Sequence, residues 1–518
     1  MANKNLFQSL LGYLLPKAPT TNEAGGQAYV RTNEQLLAQF AATGCLRDTF
    51  YVDANKQLKE LMGAAFGADP VFVAKTAVFA REQGLMKDTP ALLCAVLAFR
   101  DQALLARVFD RVCDNGKMVR NFVQIVRSGQ IGRKSLGTAP KRLVQKWLAS
   151  RTDEQLLAAS VGNAPSLADV VKMVHPKPAD RTRSNFFGYL LGKSHEAAQL
   201  PAIAQQLEAF RRGETATVPN VPFQLLTSKN LDRSHWLAIA KNASWTTVRM
   251  NLNTFLRHGV FDDHKATEHV LATLRDRSSI QRGAAFPYQI MTTLKVLDPG
   301  VPREIRAALH DVLETSVARV PSLPGKVFVA VDVSGSMQAP VTGRSRGNTT
   351  VVKCIDVAAL FAAAILRQNP NAELIPFHDD VVRFAAKARD PVFRTAERLA
   401  ALPSGGTDCS KVLAHLNARG ARGDFVVYVS DNQSWLGTRG VAGATGMQTE
   451  WQRFKVNNRA AKLVCIDIQP YATVQAPEGD DVIHVGGFSD QVFEVLRAVA
   501  DGGLAPDLWV DRIQKIAV

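Results

Sequence analysis

The stretch KVFVAVDVSGSM (326–337) decides the fold. Its first eight residues, KVFVAVDV (326–333), read as a short strand that is apolar on both faces, and the polar turn Asp332-Val333-Ser334-Gly335-Ser336 ends it. Downstream, ELIPF (373–377), DFVVYVSD (424–431) and AKLVCIDI (461–468) repeat the buried-strand pattern. Between them VVKCIDVAALFAAAILRQ (351–368), FRTAERLAAL (393–402) and TEWQRFKV (449–456) read as helices, and DQVFEVLRAVA (490–500) follows the last strand as another. Alternating apolar strands and helices predict a doubly wound parallel sheet. It starts after Pro321-Ser322-Leu323-Pro324-Gly325, so the boundary falls near 320–325.

Upstream of that boundary the period changes. Apolar residues recur at three- and four-residue spacing in VFVAKTAVFAREQ (71–83), ALLCAVLAFR (91–100), ALLARVFDRVC (103–113) and KRLVQKWLAS (141–150). The same spacing holds in AAQLPAIAQQLEAF (197–210), TTVRMNLNTFLRHG (246–259) and REIRAALHDVLETSVARV (303–320). Thr32-Asn33-Glu34-Gln35 reads as a capping box that opens the first helix. Short helices in pairs without a sharp repeat predict an α-solenoid, against an irregular helical domain as the plainer reading. Length alone, 518 residues, suggests about three domains. The change of period reduces this to an N-terminal segment (1–25), a helical domain (26–320) and an α/β domain (321–518).

In doubly wound folds ligands bind at the carboxyl ends of the strands. Three polar turns lie where they reach that edge: Asp332 to Ser336, Ser404-Gly405-Gly406-Thr407-Asp408-Cys409-Ser410, and Ser430-Asp431-Asn432. Asp332, Ser334, Ser336, Thr407 and Asp431 make an oxygen-only set for a hard divalent ion, most plausibly Mg²⁺ with retained waters. With so few anionic ligands the ion stays electrophilic towards an outside carboxylate. The plainer reading is that these Ser and Asp residues cap the helices that follow. A single metal with few carboxylates supports two-metal RNA hydrolysis poorly. There is no Ser-His-Asp or Cys-His pattern, and His378 reads as a surface or capping histidine.

Charge is divided unevenly. The chain carries 62 basic and 47 acidic side chains, a net of +15. Residues 1–320 hold 41 and 27, a net of +14; residues 321–518 hold 21 and 20, a net of +1. Such segregation marks a polyanion-binding surface on the helical part. The basic clusters are Arg127, Arg133, Lys134, Lys141, Arg142 and Lys146, then Lys172 and His175, read as three apart on one helix face behind the capping Ser166. Arg181 and Arg183 precede Phe186, Phe187 and Tyr189, which either stack unpaired bases or belong to the core.

The six cysteines are widely spaced with no C-x-x-C pair, which argues against the usual zinc spacings and a disulfide framework, and for reduced core thiols in a cytoplasmic protein. Residues 6–15 (LFQSLLGYLL) are interrupted by Gln8, Ser9, Gly12 and Tyr13 and read as an amphipathic segment, not a signal peptide. No run of about 18 apolar residues predicts a membrane span.

The motif order D-x-S-x-S, then Thr, then Asp resembles the metal-ion-dependent adhesion site of von Willebrand factor A domains. That resemblance implies adhesion, not catalysis. The chain as a whole resembles the Ro autoantigen family, whose helical part is called the TROVE module. RSGQIGR (127–133), SLADVVKMVHPKP (166–178), FPYQI (286–290), AVDVSGSM (330–337), SGGTDCS (404–410) and SDNQSW (430–435) carry it, in order over nearly the whole chain. The resemblance implies a monomeric ring of HEAT-like helical repeats closed by the A domain. It further implies small noncoding Y-type RNA on the outer basic surface, single-stranded 3′ ends of misfolded RNA in the central hole, and, in bacterial members, an exoribonuclease as partner. The competing reading is a metal-dependent protein-adhesion scaffold that does not primarily bind RNA.

Overall fold

The computed structural model describes residues 15–132, 134–280, 286–344, 352–437, 440–487, 491–502 and 507–518. Two short strands, β1 (Thr20–Thr21) and β2 (Gln27–Val30), precede the helices. Then come α1 (Asn33–Thr43), α2 (Ala54–Gly67), α3 (Pro70–Glu82), α4 (Asp88–Arg100), α5 (Gln102–Val112) and α6 (Gly116–Arg127). They continue as α7 (Thr138–Ser150), α8 (Asp153–Ala159), α9 (Leu167–Val174), α10 (Arg181–Leu190), α11 (Ala202–Arg212) and α12 (Arg233–Asn242). The helical region ends with α13 (Trp245–Arg257), α14 (His264–Leu274), α15 (Pro287–Val296) and α16 (Arg303–Ser316).

Polar caps punctuate this series. Thr32 and Gln35 form the predicted capping box, and Ser166 with Asp169 forms another at α9. Asp53, Asp69, Asp101 and Asn115 each accept a backbone N–H of the helix they open. The predicted 197–210 helix is interrupted: a three-residue 3₁₀ turn ends at Gln199 and α11 starts after Pro201, whose ring removes a donor and excludes the helical conformation from Leu200.

The second region alternates β3 (Val327–Asp332), α17 (Cys354–Gln368), β4 (Glu373–Phe377), α18 (Val392–Ala400), α19 (Ser410–Ala418), β5 (Phe425–Ser430), α20 (Gly446–Asn457) and β6 (Lys462–Asp467). Then follow β7 (Thr473–Val474), β8 (Val482–Gly486), α21 (Gln491–Ala500) and α22 (Leu508–Gln514). Five strands form a parallel sheet in the order β4-β3-β5-β6-β8. Every residue of β3 and β5 is buried, as the apolar runs required. Residues alternate between two cores: Val327, Val329 and Val331 join the core shared with the helical region, while Phe328 and Ala330 face α19 and α20.

The helical region meets the sheet domain at both of its ends. α1 packs on β8 and α22, and α22 also packs on α3; at the far end α15 packs on α17 and α16 on α18. The circuit of helices is therefore closed by the α/β domain. β2 pairs antiparallel with β7, Tyr29 opposite Val474, in a separate three-stranded sheet β1-β2-β7. Beside this seam the buried Arg31 guanidinium pairs with Asp467, whose carboxylate also faces His484 Nδ1 at 3.1 Å. All six cysteines are free; Cys45 is half-buried and the others buried. No helix among the described residues is long and apolar enough to cross a membrane.

Candidate metal site and basic surface

The three polar turns converge at the carboxyl edge of the sheet. Asp332 ends β3, Asp431 follows β5, and the glycine turn 404–407 leads into α19. Gly335 N–H donates to the Gly405 carbonyl at 3.0 Å, and the Trp435 and Leu436 N–H groups donate to the Thr407 carbonyl at 3.1 and 3.0 Å. Only glycine suits position 405, because a Cβ there would stand 2.9 Å from His378 Nδ1. All five predicted donor residues are brought together and buried, at 0–3 % exposure.

Their polar atoms are held in fixed directions. The Asp332 carboxylate accepts from Ser334 N–H at 2.9 Å and from the Ser430 hydroxyl at 2.6 Å, while the Ser334 and Ser336 hydroxyls lie 3.2 Å apart. Asp431 accepts from Gln433 N–H at 3.2 Å. Burial pushes the Asp332 carboxyl up, against the hydrogen bonds from Ser334 and Ser430 that favour its anion. Burial and the neighbouring Asp332 push Asp431 up to about 7. Two buried carboxylates with no Lys or Arg ion pair among the described residues, and three hydroxyl residues beside them, make a donor set that fits a hard divalent ion. Among the described residues no group of three or more His, Cys, Asp or Glu side chains gathers into a metal-binding cluster, so this mixed carboxylate and hydroxyl set is distinct in type.

Two participants were not singled out from sequence. Ser430 orients Asp332, and its place beside Asp431 in the Ser-Asp-Asn turn was the available signal. Tyr51, in the segment between α1 and α2, presents its phenol to Ser336 beside Asp431; burial, then Asp431, raises it to about 12. That segment is held on the sheet domain by Arg344 N–H donating to the Asp48 carbonyl at 2.7 Å and by the Tyr51 ring, 6.0 Å from that of Tyr471. Nothing local in the sequence ties residue 51 to residue 336. His378 pairs with its neighbour Asp379 at the rim, consistent with a capping role.

The basic residues gather on α6, α7 and α9 and the segments that follow α6 and α9, and α9 packs on both α6 and α7. Arg127 Nη1 lies 2.8 Å from Met173 Sδ, and Gln145 Nε2 donates to the Val174 carbonyl at 2.6 Å. Arg127, Lys134, Arg142, Lys146, Lys172 and His175 are exposed and Lys141 is half-buried. Lys146 also stands 3.9 Å from Asp110. Arg133 lies outside the described residues, as does the greater part of the segment 6–15.

One expectation needs correction and one alternative is resolved. α9 ends at Val174, and His175 adopts a left-handed conformation (φ 49°), because the following Pro176 bars it from the helical region. Lys172 and His175 therefore do not share a helix face, although both line a cavity of about 1100 Å³ together with Arg181 and His195. Phe186 and Phe187 are buried at 0 % and 6 %, and Tyr189 donates to Glu208 at 2.7 Å. Of the two readings offered, Phe186 and Phe187 thus follow the core one, while Tyr189 is half-buried.

With the geometry established, comparison with known proteins is informative. Residues 326–500 match the family described as the Ro60 vWA domain. The chain is 23 % identical over 529 aligned positions to the RNA-binding protein RO60 of Deinococcus radiodurans, covering 94 % of this chain and 96 % of that one. The RNA-binding protein RO60 of Caenorhabditis elegans is 20 % identical over 319 positions, 57 % of this chain and 48 % of that one. The crystal structure of the Deinococcus radiodurans RO (RSR) protein superimposes with a TM-score of 0.61 at 20 % identity, over 91 % of this chain and all of that one. The α/β domain is thus similar to the Ro60 vWA domain, and the chain as a whole shares the fold of the Deinococcus RO protein, a closed circuit of helices completed by a von Willebrand factor A domain.

Proposed function

We propose that the chain is a non-catalytic RNA-binding ring acting in RNA quality control or processing in the cytoplasm. Small noncoding Y-type RNA lies on the basic surface of α6, α7 and α9, and single-stranded ends of misfolded or processed RNAs are its second class of ligand. The observation that carries this reading is the gathering of Arg127, Lys141, Arg142, Lys146 and Lys172 on α6, α7 and α9, with Lys134 and His175 in the segments that follow α6 and α9, where α9 packs on both other helices. Its relatives in Deinococcus and Caenorhabditis are named RNA-binding proteins, which supports the same reading. Phosphate neutralisation by these cations makes binding steeply salt-dependent, each lost contact flattening the slope of log K against log salt by about 1. Replacing Lys134, Lys141, Arg142 and Lys146 by Glu should abolish binding of a structured RNA in fluorescence anisotropy. Unchanged affinity and slope would refute the assignment.

The A domain serves a second purpose in this proposal. Asp332, Ser334, Ser336, Thr407 and Asp431 hold Mg²⁺, whose remaining coordination position accepts a carboxylate of a protein partner, an exoribonuclease in the simplest case. The burial of all five donor residues at the sheet edge favours this. A pull-down recovering protein partners but no RNA would favour the alternative, a metal-dependent adhesion scaffold.

A further inference from the structure

The aromatic side chains that do face solvent in the basic region are not those suggested by sequence. Phe66 at the end of α2 and Phe99 at the end of α4 are 37 % and 54 % exposed. Their ring centroids are 5.9 Å apart at an interplanar angle of 71°. The preceding turns, Ala64 and Ala65 on α2 and Leu97 and Ala98 on α4, are buried at 0–2 % and satisfy the core, so both rings point outward. Arg100 lies beside them: its Nη1 donates to the Ala65 and Ala68 carbonyls at 2.6 and 2.8 Å, and its guanidinium sits 6.0 Å from the Phe66 ring centre.

The other border of the pair is the basic loop after α6. A Cβ on Gly132 would stand 3.8 Å from Phe99 Cε2, and the Lys134 chain folds back over Gly129. The nearby acidic groups are engaged. Asp69 caps α3 through Val71 N–H, and Asp101 caps α5 through Ala103 and Leu104 N–H. An apolar pair with Arg100 beside it and the loop that carries Lys134 at its border joins π-faces to phosphate-seeking charge, the combination by which single strands are held.

We propose that Phe66 and Phe99 form a stacking platform for unpaired bases of single-stranded RNA running off the basic loop. The site rests on the RNA-binding reading above and specifies which part of the RNA it takes. It is separate from the metal edge. α2 begins just after Tyr51 and carries Phe66 about 18 Å further along its axis at 1.5 Å per residue.

The test uses the full chain and a fluorescein-labelled ten-nucleotide oligoadenylate. Phe99→Leu and Phe66→Leu keep an apolar, helix-compatible side chain and remove the π-face. Each should weaken oligoadenylate binding about 5- to 100-fold with an unchanged salt slope. Abasic replacements in the oligonucleotide should weaken the wild type and leave the Leu variants little affected. Wild-type affinity in both Leu variants, alongside loss in Lys134→Glu and Arg142→Glu, would overturn the platform and leave the RNA reading standing. Absence of any RNA binding by the wild type would overturn both. A change of oligomeric state in Phe99→Leu on gel filtration, with oligonucleotide binding intact, would show the patch to be a protein contact and overturn the platform as well.

Discussion

Arg31 and Asp467 bind the start of the chain to its end, and nearly all of their value lies in being buried together. Burial alone would raise the Asp467 carboxyl, but Arg31 and His484 hold it below its ordinary range. Removing one partner leaves an uncompensated charge in the core, so Arg31→Ala should cost about 3–5 kcal/mol in chemical denaturation at pH 7. A depressed carboxylate stabilises the fold above its unfolded value and loses that contribution as pH falls through its folded value. The penalty of Arg31→Ala should therefore shrink in strongly acidic buffer. Glu478 behaves in the opposite sense. Burial and Asp507 push it up to about 7, against the lowering effect of His484 and Arg31, while Gln35 Nε2 donates to it at 2.9 Å. Its charge is a cost that appears as pH rises from about 4.5 through 7. Glu478→Gln should raise the thermal midpoint at pH 8 and change little at pH 5.

At the scale of elements, caps and the candidate metal donors are assigned separable tasks. Thr32→Ala removes the N-cap of the helix on which β8 and α22 rest, and should lower stability by about 0.5–2 kcal/mol. Mg²⁺ at a hundredfold excess over its dissociation constant should stabilise the wild type by about 2.7 kcal/mol in thermal shift. Asp332→Ala should eliminate that shift; an equal shift in the variant would place the ion elsewhere. Strand β4 is bounded at the predicted residues, and β3, β5 and β6 within one residue at each end, because a buried parallel strand is a continuous apolar run. Elements of two residues, β1 and β7, show no alternation to detect, and β2 finds its second partner, β7, more than 400 residues away. The candidate donor residues were legible because each sits in a polar turn ending a strand or opening a helix. Tyr51 was not, since its role depends on how two domains meet. The proposed RNA surface was legible as charge but not as shape: Phe186 and Phe187 fill the core, while Phe66 and Phe99 stand outside it.

The whole molecule is a circuit whose last helix acts as its fastener. Trp509 of α22 is 3 % exposed, meets Phe79 edge-on at 5.2 Å, and donates through Nε1 to the Ala38 carbonyl at 3.1 Å. Trp509→Ala should cost about 3–5 kcal/mol and destabilise the helical region as much as the A domain, readable as hydrogen exchange accelerated in α1 and α3. The seam has a further consequence during protein synthesis. The Arg31 side chain meets the Tyr471 carbonyl 440 positions downstream. At about 5–20 residues per second the ribosome takes roughly 20–90 s to supply that partner. For that interval the nascent helices form an open strip whose strand β2 lacks its β7 partner, and only the arrival of the later segments turns the strip into a ring.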